Sequence, residues 1–251
     1  MTRRTLDLTT ITAPNPGPMT LTGTNTYLIG REPTLVIDPG PADESHVEIV
    51  LEAIESRGGH AGIVLTHGHG DHSDSLALMR ETAVTLEDSL EVGGLRAVAT
   101  PGHAADHFCL ILDRGHPAHG DESVGRVIFV GDLLLGTGSG LVPPRSEGGS
   151  LSDYLDSLRK VRDLEPDLLY PGHGPVIEDP TGTIDTYIQH RLDREGRLID
   201  ALDSGERSRD KLLDLVWDDV PQELRPAAAL AMQAHLEKLI EDGVIGSDSV
   251  R

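Results

Sequence analysis

Thr66-His67-Gly68-His69-Gly70-Asp71-His72 packs three imidazoles and a carboxylate into seven residues, directly after the apolar run Ile63-Val64-Leu65. Neutral imidazole nitrogens and carboxylate oxygens are the ligands that Zn(II) and similar borderline ions favour. Gly68 and Gly70 free the backbone for sharp turns, so alternate side chains converge instead of splaying to opposite faces. This is the layout of metal ligands on a loop at the end of a buried strand.

Three distant stretches share the same grammar of apolar run, turn residue and metal-capable side chain. Pro101-Gly102-His103 follows the strand-like run Leu95 to Ala99, Gly131-Asp132 follows Val127-Ile128-Phe129-Val130, and Pro171-Gly172-His173 follows Leu168-Leu169-Tyr170. Side chains at the ends of several strands meet on one rim of a sheet-based fold. The candidate ligands are five histidines and two aspartates: His67, His69, Asp71, His72, His103, Asp132 and His173. Two tetrahedral or five-coordinate ions sharing one carboxylate would use that number and leave room for water.

The pattern Thr-His-x-His-x-Asp-His followed by separate His, Asp and His ligands resembles the metallo-β-lactamase superfamily. The resemblance implies an α/β fold, an αββα sandwich with a two-metal site at one edge. It implies that His67, His69 and His103 hold one ion, that Asp71, His72 and His173 hold the other, and that Asp132 bridges them. Further stretches are similar to the lactamase-beta-two-like branch, which includes a mitochondrial endoribonuclease. They are Asn15 to Ile29, Tyr170-Pro171-Gly172-His173-Gly174-Pro175-Val176-Ile177, Tyr187-Ile188-Gln189-His190-Arg191 and His235 to Gly243. The branch implies a small C-terminal winged-helix-like domain. The expected division is 1–182 for the metallo-β-lactamase-fold domain and 183–251 for the C-terminal one. Against the family pattern, the stretch from His72 to His103 is short, trimming elements that border the substrate groove.

The chain has 251 residues, 37% of them hydrophobic, which fits one large domain or a large and a small one. No apolar run is long enough to cross a membrane. Met1-Thr2-Arg3-Arg4 has no apolar segment behind it and does not read as a secretory signal. The single cysteine, Cys109, cannot form an internal disulfide and reads as a buried small hydrophobe, in keeping with a reducing, cytoplasmic home. A formal net charge of −21 opposes non-specific binding to nucleic acid, duplex DNA above all.

β-Branched and apolar residues between Gly, Pro and Asp predict strands at Thr20 to Ile29, Thr34 to Asp38 and Gly62 to Leu65. Val47, Val50, Leu51 and Ile54 have helical spacing within Asp43 to Arg57, so a βαβ crossover leads into the ligand loop. Further helices are expected at Ser73 to Arg80, at Ser150 to Leu164 with a serine cap and Pro166 as stop, at Ile184 to Leu202, at Ser208 to Trp217 and at Pro226 to Glu241. Val244-Ile245-Gly246 reads as a short terminal strand. The three C-terminal helices, richer in Asp and Glu than in Lys and Arg, read as a cap on the active-site rim more than as a DNA reader.

Two bridged divalent ions, zinc by default with manganese or iron as alternatives, acidify water to a pKa near 7 and supply a bridging hydroxide without Ser or Cys. The expected activity is a dinuclear metal-dependent hydrolase, with Asp71 and Asp132 as the catalytic carboxylates. Asp71 would orient the nucleophile or shuttle its proton, and Asp132 would fix the metal pair. The branch points to single-stranded RNA cleavage, and the same chemistry serves hydrolysis of an acyl thioester or ester on a small molecule. A metal-dependent binding or regulatory protein is the non-enzyme alternative. Asp38 is expected to brace the ligand loop and Thr66 to bond a backbone group beneath it, while Asn25 and Tyr27 could face the site or be structural. His107 could approach the rim. His46, His60, His116, His119, His190 and His235 lack ligand partners at suitable spacing. Gly136-Thr137-Gly138-Ser139-Gly140 lacks the lysine of a P-loop and reads as a loop near the site.

Overall fold

In the computed structural model, residues 7–113 and 125–246 are described. Two sheets face each other. Strands β1 (Leu8–Thr12), β2 (Asn25–Ile29), β3 (Thr34–Ile37) and β4 (His60–Val64) form the first in sequential order. Strands β5 (Glu91–Val92), β6 (Leu95–Ala99), β7 (Phe108–Leu112), β8 (Val127–Gly131) and β9 (Leu168–Pro171) form the second, also in sequential order. Each sheet is antiparallel until its last pair, β3 with β4 and β8 with β9, which run parallel. A parallel pair needs a crossover. Helix α1 (Glu44–Ser56) spans the first pair and α4 (Leu151–Asp163) the second.

The strands are apolar on both faces because each sheet is covered twice. Tyr27, Ile29, Leu35, Ile37, Leu110, Leu112, Val127 and Phe129 point between the sheets. Their neighbours point outward at the two-residue period of a strand. Leu28, Val36 and Ile63 meet Val47, Val50 and Ile54 of α1, while Cys109, Ile111, Ile128 and Val130 meet Leu155, Leu158 and Val161 of α4. The result is the expected αββα sandwich. Asp43 caps α1 by accepting the His46 N–H, and Ser150 caps α4 by accepting the Asp153 N–H.

Some local boundaries differ from the sequence reading. Residues 20–24 turn and only Asn25–Ile29 pairs as a strand, because Gly17 bridges back to Leu21. Helix begins inside the ligand loop, as the single turn α2 (Gly70–Ser73), and resumes as α3 (Ser75–Met79), which ends at Arg80 in the left-handed region. Val244-Ile245-Gly246 forms no strand.

C-terminal to the sandwich lie α5 (Pro180–Asp203), α6 (Arg209–Val216) and α7 (Arg225–Glu241). Helix α5 starts four residues earlier than its apolar spacing implied, since Asp179 caps it and Pro180 fits the first turn. Ile184 and Tyr187 near its start pack on the sandwich core, whereas Leu198 and Leu202 near its end pack with Leu212, Val216, Trp217, Met232 and Leu239. A boundary between 182 and 183 therefore falls in the first turn of a helix shared by both cores. Ser208 precedes α6 without a side-chain cap bond, and Glu206 accepts the Arg207 and Ser208 N–H groups just before the helix. Among the described residues no helix is long and apolar enough to cross a membrane.

Phe129 is fully buried, with its ring centroid 5.1 Å from that of Tyr27 and 5.3 Å from that of Tyr170. Phe129→Ala is expected to lower unfolding free energy by about 3–5 kcal/mol, read from the midpoint of urea denaturation on metal-free protein.

Candidate metal centre

Asp38 follows β3 with a left-handed φ of 50° and is 1% exposed. Its Oδ1 accepts the Thr66 N–H at 2.7 Å, and its Oδ2 accepts the Thr66 hydroxyl at 2.7 Å and faces His72 Nδ1 at 2.9 Å. One carboxylate thus ties the end of β3 to the loop leaving β4. That loop enters α2, whose single turn carries Asp71 and His72 back toward the strand ends. The loops after β6, β8 and β9 bring in His103, Asp132 and His173. Gly172 is required by close approach: a Cβ there would lie 2.5 Å from Asp132 Oδ1 and 2.6 Å from His72 Cε1.

All seven sequence-predicted ligands meet. His69 Nδ1 stands 2.9 Å from His67 Nε2 and 3.0 Å from His103 Nε2. On the other side, Asp71 Oδ2 lies 3.2 Å from His173 Nε2 and 3.6 Å from His72 Nε2. Asp132 sits between the two groups. Its Oδ1 is 3.4 Å from His72 Nε2 and 3.3 Å from His173 Nε2, while its Oδ2 is 3.7 Å from His103 Nε2. Ions bound at 2.0–2.2 Å place neighbouring tetrahedral ligand atoms roughly 3.3–3.6 Å apart. The contacts of Asp71 and Asp132 lie near that spacing, those of His69 are tighter, and the donor types suit divalent metal, with Asp132 placed between the two groups.

The outward ring nitrogens are also engaged. His103 Nδ1 donates to the Leu141 carbonyl at 2.9 Å and His173 Nδ1 to the Gly23 carbonyl at 3.2 Å. A carbonyl only accepts, so Nδ1 carries a proton in both rings and Nε2 is the nitrogen that faces the cluster. His67 Nδ1 lies 3.1 Å from the Thr66 hydroxyl, which donates its own O–H to Asp38 Oδ2. The electrostatics are polarised without any ion. Burial, then the neighbouring His72 and His107, holds the His67 imidazole neutral. Burial opposes charge on His173 and Asp132 too, but their mutual contact prevails, with Asp71 raising His173 to about 9 and His72 drawing Asp132 well below the usual carboxylate range. These are the groups whose protons a bound cation would replace.

Asn25 and Tyr27 prove structural. The Asn25 amide donates to the carbonyls of Pro171 and Gly174, and the Tyr27 hydroxyl to Pro171, so the first hairpin clamps the His173 loop. Thr24 reaches further and donates to Asp71 Oδ2 at 3.3 Å. His107 lies beneath the cluster and not on its rim: it is 1% exposed, its ring centroid is 5.3 Å from that of His67, and burial followed by the nearby His103 pushes its pKa down to about 3. His46 bonds Thr26 and Pro39, His60 pairs with Glu81, His235 packs on Trp217, and neither these nor His190 joins the cluster. His116 and His119 lie outside the described residues. The Leu141 and Gly23 contributions had no sequence signal, because a backbone carbonyl is common to every residue.

A cleft of about 200 Å³ opens over the cluster. Met19, Thr20, Leu135, Gly140 and Leu141 complete its walls around His69, Asp71, His103, Asp132 and His173. The glycine-rich loop after Asp132 thus contributes Gly140 to the wall, and among the described residues no Lys or Arg lines the cleft.

The metallo-beta-lactamase superfamily pattern matches residues 80–173, which include His103, Asp132 and His173. The beta-lactamase associated winged helix domain matches residues 208–250. A beta-lactamase-like protein 2 homolog from Caenorhabditis elegans is 34% identical, over 95% of this chain and 85% of that protein. The chain belongs to the metallo-beta-lactamase superfamily. An atrochrysone carboxyl ACP thioesterase from Passalora fulva is 31% identical, over 92% of this chain and 75% of that one. A metallo-beta-lactamase family protein from Thermus thermophilus shares the fold, with a TM-score of 0.73, 23% identity and coverage of 96% and 95% of the two chains. This superfamily member, with its His and Asp cluster, is a metallo-beta-lactamase-fold hydrolase with a C-terminal winged-helix domain and a site suited to divalent metal.

Asp38→Ala would free Thr66 and His72 together. Metal affinity measured by chelator competition is expected to fall about 10–100-fold, the range for losing a partner that orients a ligand. Stripping the metal from wild-type protein is expected to lower its thermal midpoint, and titrating zinc back to restore it, because an ion bound only to the native state stabilises it.

Proposed function

We propose that this chain is a dinuclear zinc-dependent hydrolase of acyl thioesters bearing a small acyl group. The observation that carries the reading is the cleft, whose walls beyond the cluster are Met19, Thr20, Leu135, Gly140 and Leu141, with no cation and no titratable group among the described residues. His67, His69 and His103 would hold one ion, Asp71, His72 and His173 the other, and Asp132 both. Such ions acidify a water and polarise the acyl oxygen.

The protein's own residues then have defined tasks. Asp71, oriented by the Thr24 hydroxyl, faces the cleft and can hold the attacking water and take its proton. Met19, Leu135 and Leu141 give the acyl chain an apolar seat and exclude bulk water. Water adds to the acyl carbon, the C–S bond breaks, the sulfur leaves as thiolate and the acyl group as carboxylate. A thiol ionises near pH 8.5, so a thiolate departs without a dedicated general acid. That suits walls lacking one. The Passalora fulva thioesterase supports the same substrate class. Single-stranded RNA, by contrast, is tracked by cationic grooves with aromatic platforms. The cleft offers neither, and the net charge of −21 repels the polymer.

Zinc-loaded protein is expected to hydrolyse short-chain acyl thioesters in a thiol-release assay and to leave single-stranded RNA intact. Asp132→Ala should lower turnover by more than about a hundredfold, beyond what loss of a merely orienting partner costs. RNA cleavage without thioester turnover would overturn the proposal.

A further inference from the structure

Between Asp132 and Val142 the chain forms a strap across the rim of the site. Its first residue offers a carboxylate to both ligand groups, and Leu141 near its end accepts the Nδ1–H of His103. Gly140 and Leu141 also wall the cleft. The strap's conformation therefore sets how His103 presents its Nε2.

Helix α5 grips this strap at two points one turn apart. The Tyr187 hydroxyl accepts the Leu135 N–H at 3.1 Å. Four residues on, the Arg191 guanidinium donates through Nη2 to the Gly140 carbonyl, the residue before Leu141. Arg191 is 5% exposed, lies over the Tyr154 ring at 5.5 Å, and makes no ion pair among the described residues. Its Nε is buried without a hydrogen-bond partner. A buried cation with no carboxylate beside it is costly and is a poor device for stability alone. Its neighbour Arg194 shows the ordinary alternative, an ion pair with Asp219 at 2.5 Å together with a bond to the Val216 carbonyl, within the helical region.

We infer that Arg191 is a positioning residue for the His103 side of the metal centre, acting from α5 through the Gly140–Leu141 peptide. Through it the C-terminal helices are a working part of the site and not only a cover. The inference rests on the proposed binding of metal by His103, and it assigns the strap two anchors on one helix face: Tyr187 for the Asp132 end and Arg191 for the His103 end. Val142 and Leu141 complete the hold, the first in the sandwich core and the second against the helical cluster.

The test is zinc affinity of the full chain by chelator competition, with far-UV circular dichroism as a check on folding. The variants are Arg191→Met, Arg191→Lys, Arg194→Met and His103→Ala. Arg191→Met is expected to weaken the zinc equivalent that His103→Ala abolishes by about tenfold, the low end of the range for an orienting partner because it acts one peptide removed. Arg194→Met is expected to lower the thermal midpoint while both equivalents keep their wild-type affinities. Arg191→Lys keeps the charge but not the planar fork. It decides the matter if Arg191→Met does not fold: a weakened His103-side equivalent supports the inference, and wild-type affinity overturns it. Equal effects of Arg191→Met and Arg194→Met on zinc would reduce Arg191 to general stability and also overturn it. If His103→Ala itself leaves zinc binding unchanged, the metal reading fails, an outcome distinct from failure of the Arg191 inference.

Discussion

A single buried carboxylate at the end of β3 organises the rim. Asp38 satisfies the Thr66 amide, the Thr66 hydroxyl and the His72 ring at once, with its backbone in the left-handed region that costs a non-glycine residue free energy. That local cost is offset by three hydrogen-bonding contacts to one buried side chain. Without it, the ligand loop would have no fixed relation to the sheet, and His67 and His72 would lose both aim and tautomer. His46 supports the same corner from behind, bonding Pro39 and Thr26 where the chain turns away from Asp38.

The sandwich supplies the second constraint. Each sheet ends in a parallel pair with a helical crossover; the loops after β4, β8 and β9 of those pairs carry six of the seven side chains, and the loop after antiparallel β6 carries His103. Strands buried on both faces cannot slip in register without moving apolar side chains out of two cores at once. Rigid strand ends are what hold seven side chains from four loops within a few ångströms. The cleft above them inherits its apolar character from Leu135 and Leu141, residues whose neighbours Leu134 and Val142 are core.

The C-terminal helices are joined to the sandwich by burial more than by a linker. Helix α5 contributes Ile184 and Tyr187 to one core and Leu198 and Leu202 to the next. Reading these helices as a cap on the rim fits this arrangement, while the described part of the segment holds no terminal strand. Exposed ion pairs such as Arg162 with Asp185 and Arg197 with Asp218 contribute little to stability each.

The amino-acid sequence alone marked out the seven residues that cluster at the rim, the family resemblance that implied the two-sheet architecture, and most helices. Metal ligands are few, chemically distinctive and clustered, and double-sided burial leaves unbroken apolar runs that strands read out directly. The tertiary structure decided what pattern cannot encode. The starts of α2 and α5 depend on the local backbone at His69 and the side-chain cap of Asp179. Asn25 and Tyr27 turned inward to hold a loop because their partners are the carbonyls of Pro171 and Gly174, more than a hundred residues away. His107 went beneath the site and not to its rim because Thr100 offered it a buried hydroxyl. The Leu141 and Gly23 carbonyls became parts of the centre through backbone atoms that every residue carries, so only folding could choose them.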